Sequence, residues 1–506
     1  MAAKRVPAPA AAPAPRRFTL FDRIAPVLNV LGVVLMIFGT SMAVPFAASR
    51  LLEDGAHGAY GESIAVTLVA GLALLLGTRG RHRREIQPRD GFLLVALVWT
   101  VLPAFATVPL MAQIPGLSFT DAYFECVSGL TASGATVLTG LDALPVSINL
   151  WRSLMIWMGG MGIIVLAVAI LPLLGVGGSQ LFRAEMAGPM KDTKLTPRIE
   201  ETAKGLWLVY FALTAACAGA YWLAGMSGTD ALMHAFTTVG LGGFSSHDAS
   251  YAYWDSPLIE AVAVVFMLLS AVNFTVHFLA IRGRSFLAYA RDPEARRVVF
   301  WAGAATFMIG FHLWGHGTYD DLATAMRYAV FHVVSVGTTT GYSSADYAQW
   351  PVLAPALMLF LSCFLASAGS TGGGIKMIRA VVLFKQAVRE LTRIVHPSAV
   401  VQVKVEGRVI ENNLIFAVLA YMLMYGATVI ATMMLLMASG LDIVTAVSAV
   451  LASINNLGPG LGLVGPASTY APLTDFQTWV CTATMILGRL ELFAIIVLFT
   501  PAFWRK

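Results

Sequence analysis

Four short stretches of this chain carry the residue types that can strip and hold a cation: TASGAT (131–136), GLGGFS (240–245), TTTGYS (338–343) and NNLGPG (455–460). Each contains one glycine of a set, Gly134, Gly243, Gly341 and Gly458, and the intervals of 109, 98 and 117 residues mark an internal repeat. A cation that leaves water needs several oxygens in place of its hydration shell. Backbone carbonyls supply them without fixed charge, so the ion binds and still leaves. Turning successive carbonyls toward one axis demands backbone angles that side-chain-bearing residues resist and glycine accepts. Four such strands, one per repeat, would close a ring.

A ring at membrane depth needs elements to carry it there. Ahead of each stretch stands a Thr/Asp-type start that resembles a helix N-cap: Thr120-Asp121, Thr229-Asp230, Asp320-Asp321 and Asp442. About three turns of small and apolar residues follow. A short apolar helix that returns as extended, glycine-containing backbone is a re-entrant segment, tolerated only where it is buried in protein or lines water. The acids near these starts (Asp121, Glu125, Asp230, Asp320, Asp321, Asp346 and Asp442) have two readings: attraction of cations to a pore mouth, or local capping and solvated loop charge.

Composition places all this in a bilayer. Of 506 residues 58% are hydrophobic and 12% charged, whereas soluble domains carry about a quarter charged. Candidate spans fall at roughly 24–48, 62–78, 92–113, 150–175, 205–225, 257–281, 298–316, 353–376, 413–438 and 477–503. All but four of the 33 Lys and Arg residues lie at the termini and in every second connection. The positive-inside rule assigns those connections and both termini to the cytoplasm. The same sorting removes nucleic-acid binding as the meaning of the +5 net charge. The Ala/Pro tail to Pro15 reads as disordered, ahead of a first helix that is retained, not cleaved.

Cys126, Cys217, Cys363 and Cys481 form no CxxC or Cys/His pattern, so neither a disulfide framework nor a zinc site is expected. No nucleophile–base set, HExxH motif or intramembrane acid pair points to an enzyme. The expected fold is an all-α polytopic membrane protein. A disordered cytoplasmic tail (1–20) and two extra N-terminal transmembrane helices (21–90) precede four helix–re-entrant pore loop–helix repeats (91–182, 183–290, 291–400 and 401–506), arranged as a pseudo-fourfold single-chain pore.

Two features break the apolar spans. The first is ASAGSTGGG (366–374), whose three consecutive glycines cannot hold a straight helix well. Its freed backbone must line a cavity or pack against protein, the alternative being a close-packing seam of small residues between helices. A phosphate-binding P-loop is excluded, because Ile375 stands where that motif needs lysine and Lys376 comes one place late. The second is Arg489, midway through the last span, where a charge costs ~2.5–3.5 kcal/mol. It either faces a cavity, where it contacts the broken segment or sets a barrier to ion exit, or pairs with Glu491 or Glu260. His312 and His316, one turn apart, read as packed or interfacial. Asn273 and His277 read as cross-links between helices, with proton shuttling as the alternative. Trp151, Tyr253, Trp254 and Trp350 read as interface anchors.

From about residue 90 onward the sequence resembles the TrkH branch of the Trk/Ktr/HKT superfamily of potassium transporters, and the two extra N-terminal helices fit that branch. The resemblance rests on FECVSGLTASGATVLTGLDALP, WMGGMGIIVLAVAILPLLGVGG, LFRAEMAGPMKDTKLTPRI, GGFSSHDAS, TTTGYSSADY, ASAGSTGGGIKMIR, NNLGPGLG and GRLELF, in that order. It implies a potassium-selectivity filter at the four glycines, with carbonyl sites along Ser133, Gly134, Ala135, Gly242, Gly243, Thr340, Gly341, Asn456, Leu457 and Gly458. Serine at the first glycine position goes with sodium preference in some plant members, so Gly134 favours potassium. Ser133 stands where relatives often have threonine. The resemblance also implies an intramembrane gate in the third repeat, here Ala368, Gly369, Ser370, Thr371, Gly372, Gly373, Gly374 and Lys376, with Arg489 beneath the filter. It further implies potassium uptake across a bacterial inner membrane, a homodimer and a cytoplasmic TrkA-type nucleotide-binding regulator docking on 182–204, 282–297 and 385–412. No cofactor beyond potassium is expected, and lipid is the remaining partner. The rival reading is a proton- or sodium-coupled symporter, which would need broken helices in symmetric positions; only one half shows a glycine break.

Overall fold

The computed structural model describes residues 20–80, 87–165 and 199–505. The expected disordered tail and most of the 182–204 docking loop lie outside these residues. Six helices among those described are long and apolar enough to cross a membrane, eight if each of two bent pairs counts as one span. The two remaining expected spans are the helix from Val146, described to Val165, and the short helix Leu353–Ser362.

Leu20–Ser41 and Ala43–Leu52 together form the first span, and His57–Gly77 returns. They cross where Gly32 meets Gly71. A Cβ on Gly71 would sit 2.8 Å from Met36 Cγ and 2.9 Å from Gly32 O, so the approach depends on bare backbone. Trp151, expected as an interface anchor, is instead fully buried: its Nε1 donates to Ala106 O at 3.3 Å and its ring packs on Phe38. Trp350 is buried too, whereas Tyr253 is exposed.

Each repeat then runs outer helix, pore helix, inner helix. The outer helices are Pro88–Gln113, Ile199–Leu223, Pro293–Gly315 and Asn412–Ala438. The pore helices are Phe119–Leu130, Gly228–Gly240, Leu322–Gly337 and Ile443–Asn455, of 12, 13, 16 and 13 residues. At 1.5 Å per residue they rise roughly 18–24 Å, too short for a ~30 Å hydrocarbon layer. Their N-caps are Ser118, Ser227, Asp321 and Asp442, each accepting from the amide three residues on. In the first two repeats the expected Thr/Asp starts therefore fall inside the helix, because the serine hydroxyl reaches the Asp121 and Asp230 amides first.

Neighbouring repeats interlock in a circle. The inner helix of the first repeat packs on the second pore helix, and that of the second (from Pro257) on the third. The third (from Leu353) packs on the fourth pore helix, and the fourth (from Asp475) closes back onto the first. A two-stranded hairpin, Lys404–Val405 with Arg408–Val409, joins the third and fourth repeats.

Three inner helices are broken where the sequence showed one break. Pro257–Ser270 turns through 95° into Phe274–Gly283, and Asp475–Arg489 turns through 105° into Phe493–Phe499. At the first bend Asn273 caps the new helix by accepting from Thr275 N. At the second, Glu491 and Leu492 both take positive φ. Neither bend contains glycine or proline. The glycine break thus remains confined to the third repeat, while breaks of other composition occur in the second and fourth. Replacing Gly71 by leucine will overpack the first helix crossing at a cost of about 1–3 kcal/mol, seen as a melting temperature lowered by several degrees in detergent.

Candidate ion-conduction site

All four pore helices end in the same turn. Ala132, Leu241, Thr339 and Asn456, each two residues before its glycine, adopt left-handed backbone. The next amide, from Ser133, Gly242, Thr340 or Leu457, donates back to Ser128, Thr237, Ser335 or Ala452 at 2.8–3.0 Å. That six-residue closure is the Schellman arrangement, which satisfies helix-end carbonyls and turns the chain sharply. The turn delivers the following glycine to a common centre.

At that centre there is no room for side chains. A Cβ on Gly134 would lie 2.3 Å from Gly243 N, and one on Gly243 2.7 Å from Thr340 O and 2.8 Å from Gly341 O. On Gly341 it would lie 2.1 Å from Leu457 O, and on Gly458 2.8 Å from Ser133 O. The contacts run in chain order and close from the fourth repeat to the first. Gly134, Gly341 and Gly458 also have positive φ. Asn456 holds two repeats together through its side chain, donating to Ser133 Oγ at 2.9 Å and Met485 O at 3.0 Å. Thr340 pairs its hydroxyl with Thr338 at 2.8 Å, and Ala135 is buried at the strand's exit.

Behind each strand one pore-helix side chain receives the returning backbone. In three repeats it stands nine residues before the glycine: Glu125, His234 and His332. Glu125 accepts from Val137 N at 3.0 Å and Thr136 Oγ1 at 2.9 Å. His332 Nε2 accepts from the Ser344 and Ala345 amides, while its Nδ1 bonds Tyr328 O. His234 instead holds its strand by a side chain, its Nε2 bonding Ser245 Oγ while its Nδ1 bonds Asp230 O. The fourth repeat has Ala449 there and uses Ser448, which accepts from Leu461 N at 2.8 Å. His234 and His332 went unnoticed in the sequence, although aligning the repeats on their glycines puts them in register with Glu125.

Glu125 is also ion-paired. Arg152 Nε donates to it at 2.8 Å, both side chains being fully buried, and Arg152 reaches Ser245 O at 3.0 Å, joining the first two repeats. Further bonds pass between the second and third repeats (Tyr251 N to Ser343 O) and between the fourth and first (Tyr470 N to Thr136 O).

A cavity of about 300 Å³ opens onto Gly134, Gly243 and Gly341 and is lined also by His247, Asp248 and Tyr470. None of the seven acids proposed for the mouth lines it. Asp321 and Asp442 cap pore helices, and hydrogen bonds from the hydroxyl and amide of Thr324 and Thr445 hold their carboxyls below the ordinary value. Asp230 accepts from Ser227 and Ser246. Asp248 is the acid at the mouth, fixed by the Gly140 and Leu141 amides.

On the other side of the ring, residues 363–376 interrupt the third inner helix and reach the second, third and fourth repeats. Thr371 Oγ1 donates to Val239 O at 2.9 Å, Gly373 N to Thr339 Oγ1 at 2.8 Å, and Phe274 N to Gly369 O at 3.1 Å. A Cβ on Gly373 would lie 1.9 Å from Asn455 O, and one on Gly374 2.6 Å from Ser362 O. Ser370 bonds Ser367 O, and Lys376, at positive φ, folds back to donate to Gly372 O. Ala368 N donates to Glu294. Arg489 donates to Thr371 O at 3.0 Å and Gly159 O at 3.1 Å. The carboxylates considered as its partners are engaged elsewhere, Glu491 with Arg379 and Glu260 with Arg327.

Four repeats of one chain that meet in a bare-backbone ring, with a cavity on one face and an irregular loop packed on the other, have the architecture of a single-chain membrane transport protein. The family model of TrkH, a cation transport protein, matches residues 61–506. The chain belongs to the TrkH family, a family of transporters and not of enzymes. The Trk system potassium uptake protein TrkH of Salmonella typhimurium is 45% identical over 481 residues, 95% of this chain and 99% of its own length. The Trk system potassium uptake protein TrkG of Escherichia coli is 36% identical over 95% of this chain and 98% of its own. The crystal structure of the potassium transporter TrkH from Vibrio parahaemolyticus aligns with a TM-score of 0.88 at 43% identity, covering 96% of this chain and 100% of that one.

Removing one member of the buried pair leaves the other charge uncompensated. Arg152→Met will cost about 3–5 kcal/mol, and adding Glu125→Gln will restore part of it, measured as melting temperatures of the single and double variants.

Proposed function

We propose that this chain takes up potassium across a bacterial inner membrane, through a channel-like pore whose filter is the ring at Gly134, Gly243, Gly341 and Gly458. The observation that carries the reading is the closure of the four glycines onto one another's backbone, which brings the Ser133, Thr340, Gly341 and Leu457 oxygens to the centre. Neutral oxygens replace a hydration shell without trapping the ion. Potassium as the cargo is supported by the names of the relatives. The segment from Ala366 to Lys376 acts as the gate: it lies against the inner ends of the pore helices, and Arg489 ties it to the first repeat through Gly159. Basic connections and both termini face the cytoplasm, where a TrkA-type nucleotide-binding subunit would dock, and two copies of the chain would pair.

A proton- or sodium-coupled symporter is the second reading, favoured by the three broken inner helices. Against it, the breaks lie in inner helices that pack around one central ring, and that ring is fixed by hydrogen bonds from every repeat. Alternating access would have to break it.

In liposomes holding the purified chain, K⁺ and Rb⁺ flux will exceed Na⁺ and choline flux, and Gly134→Ser will relax the preference. Equal flux for all ions, indifferent to residue 134, would remove the ring from the filter role. Arg489→Gln will raise flux about tenfold or more, since hydrogen bonds from a charged donor contribute about 1.5–3 kcal/mol each. A current unchanged by that substitution would detach Arg489 from the gate.

A further inference from the structure

We infer that Glu294 is the latch of this gate, a positioning residue that fixes the distance between the two ends of the loop. The inference rests on reading 366–376 as a gate. Glu294 is the second residue of the third outer helix and is 2% exposed. A single carboxylate oxygen, Oε1, accepts from Ala368 N and from Ile378 N, both at 3.1 Å. The two amides flank the glycine run, one where the loop enters the protein and one in the first turn of the helix Met377–Val395 that follows it.

Chemistry favours this as a latch. The Ile378 amide is one of the N-terminal donors that a helix cannot satisfy internally, and the Glu294 oxygen supplies its acceptor. Ala368 N, in irregular backbone at membrane depth, needs an acceptor of its own. With both amides on one oxygen, the loop cannot spread without breaking one of these bonds. Its residues between the two anchors then stay packed against Val239, Thr339 and Asn455.

The latch also has a handle outside the pore. Glu294 follows directly on the connection between the second and third repeats, whose Asp292 caps the helix through Ala295 N at 2.8 Å. Arg296 and Arg297 of the same turn lie 3.4 and 3.5 Å from Glu406 of the hairpin between the third and fourth repeats. A load on either connection therefore moves Glu294 relative to Ala368 and Ile378. Pulling it away frees both ends of the loop at once.

The test is Rb⁺ flux through the full-length chain in liposomes under an imposed gradient, with Na⁺ flux and the melting temperature as companion readouts. Glu294→Ala should raise Rb⁺ flux at least fivefold at an unchanged Rb⁺/Na⁺ ratio, because the ring is untouched. Glu294→Gln, which keeps an oxygen acceptor, should restore most of the low flux. Ile378→Pro removes the second donor at a helix position that accepts proline and should reproduce part of the Ala effect; if Glu294→Ala does not fold, this variant decides. Removal of residues 369–373 serves as the reference for an absent gate. High flux from that deletion with wild-type flux from Glu294→Ala and Ile378→Pro overturns the latch alone. A changed Rb⁺/Na⁺ ratio in Glu294→Ala also overturns it, placing Glu294 on the filter. A deletion without raised flux overturns the gate reading itself and the latch with it.

Discussion

Four backbone strands approach one axis so closely that atoms of each repeat occupy the volume a side chain on its neighbour would need. Everything around the ring answers to that crowding. Bare backbone at membrane depth must find its hydrogen bonds within the protein, and here it finds them on the pore helices. Each helix turns the strand with a left-handed residue, then catches it again with a polar side chain set nine or ten positions before the glycine. Glycines on inner helices extend the same logic: a Cβ on Gly159 would lie 1.9 Å from Leu130 O, and one on Gly488 2.0 Å from Ile454 O. Inner and pore helices of a repeat can thus touch backbone to backbone.

Conformational freedom and space are separate demands, and the ring separates them. Ala132, Leu241, Thr339 and Asn456 carry side chains at positive φ, at a cost on the order of 1–3 kcal/mol each for such strained backbone. They are tolerated because their side chains pack within the protein and the turn gains two backbone hydrogen bonds. Two residues later there is no space for a side chain. Gly243 is not in the left-handed region, yet its missing Cβ is as necessary as those of Gly134, Gly341 and Gly458. Glycine is required there for volume, and at the other three for volume and angle together.

Much of this was legible in the sequence because apolar length, basic-residue placement and glycine are local signals. The span-rich helical fold, the four re-entrant segments and the broken third inner helix follow from them, and the family was legible in its motifs. What was not legible depends on contacts between repeats. The bends at 271–273 and 490–492 carry no glycine or proline; they exist because Asn273 caps one new helix and Glu491, at positive φ, pairs with Arg379 at the other. Trp151 looks like an interface anchor until the N-terminal helices cover it with Phe38. The caps at Asp321 and Asp442 were legible, whereas Asp248, the acid that lines the cavity, was not. Arg152, one of four basic residues off the topological pattern, finds its reason only in Glu125.

Ring and loop are physically one network. Thr339 is the left-handed residue that turns the third strand into the ring, and its hydroxyl accepts from Gly373 N of the loop. Asn455, the last residue of the fourth pore helix, presents the carbonyl against which Gly373 packs, and Asn456 beside it bonds Ser133 in the first strand. A loop that moves must release the Thr339 hydroxyl and uncover the ends of two pore helices. Those helix ends are what hold the third and fourth strands in place. Ring and loop thus share hydrogen bonds and packing, but each strand also has its own helix-end turn and its own bond to the pore helix behind it, and these hold the ring whether or not the loop is in place. The first and second strands are braced further by the Glu125–Arg152 pair, whose arginine also reaches Ser245 O.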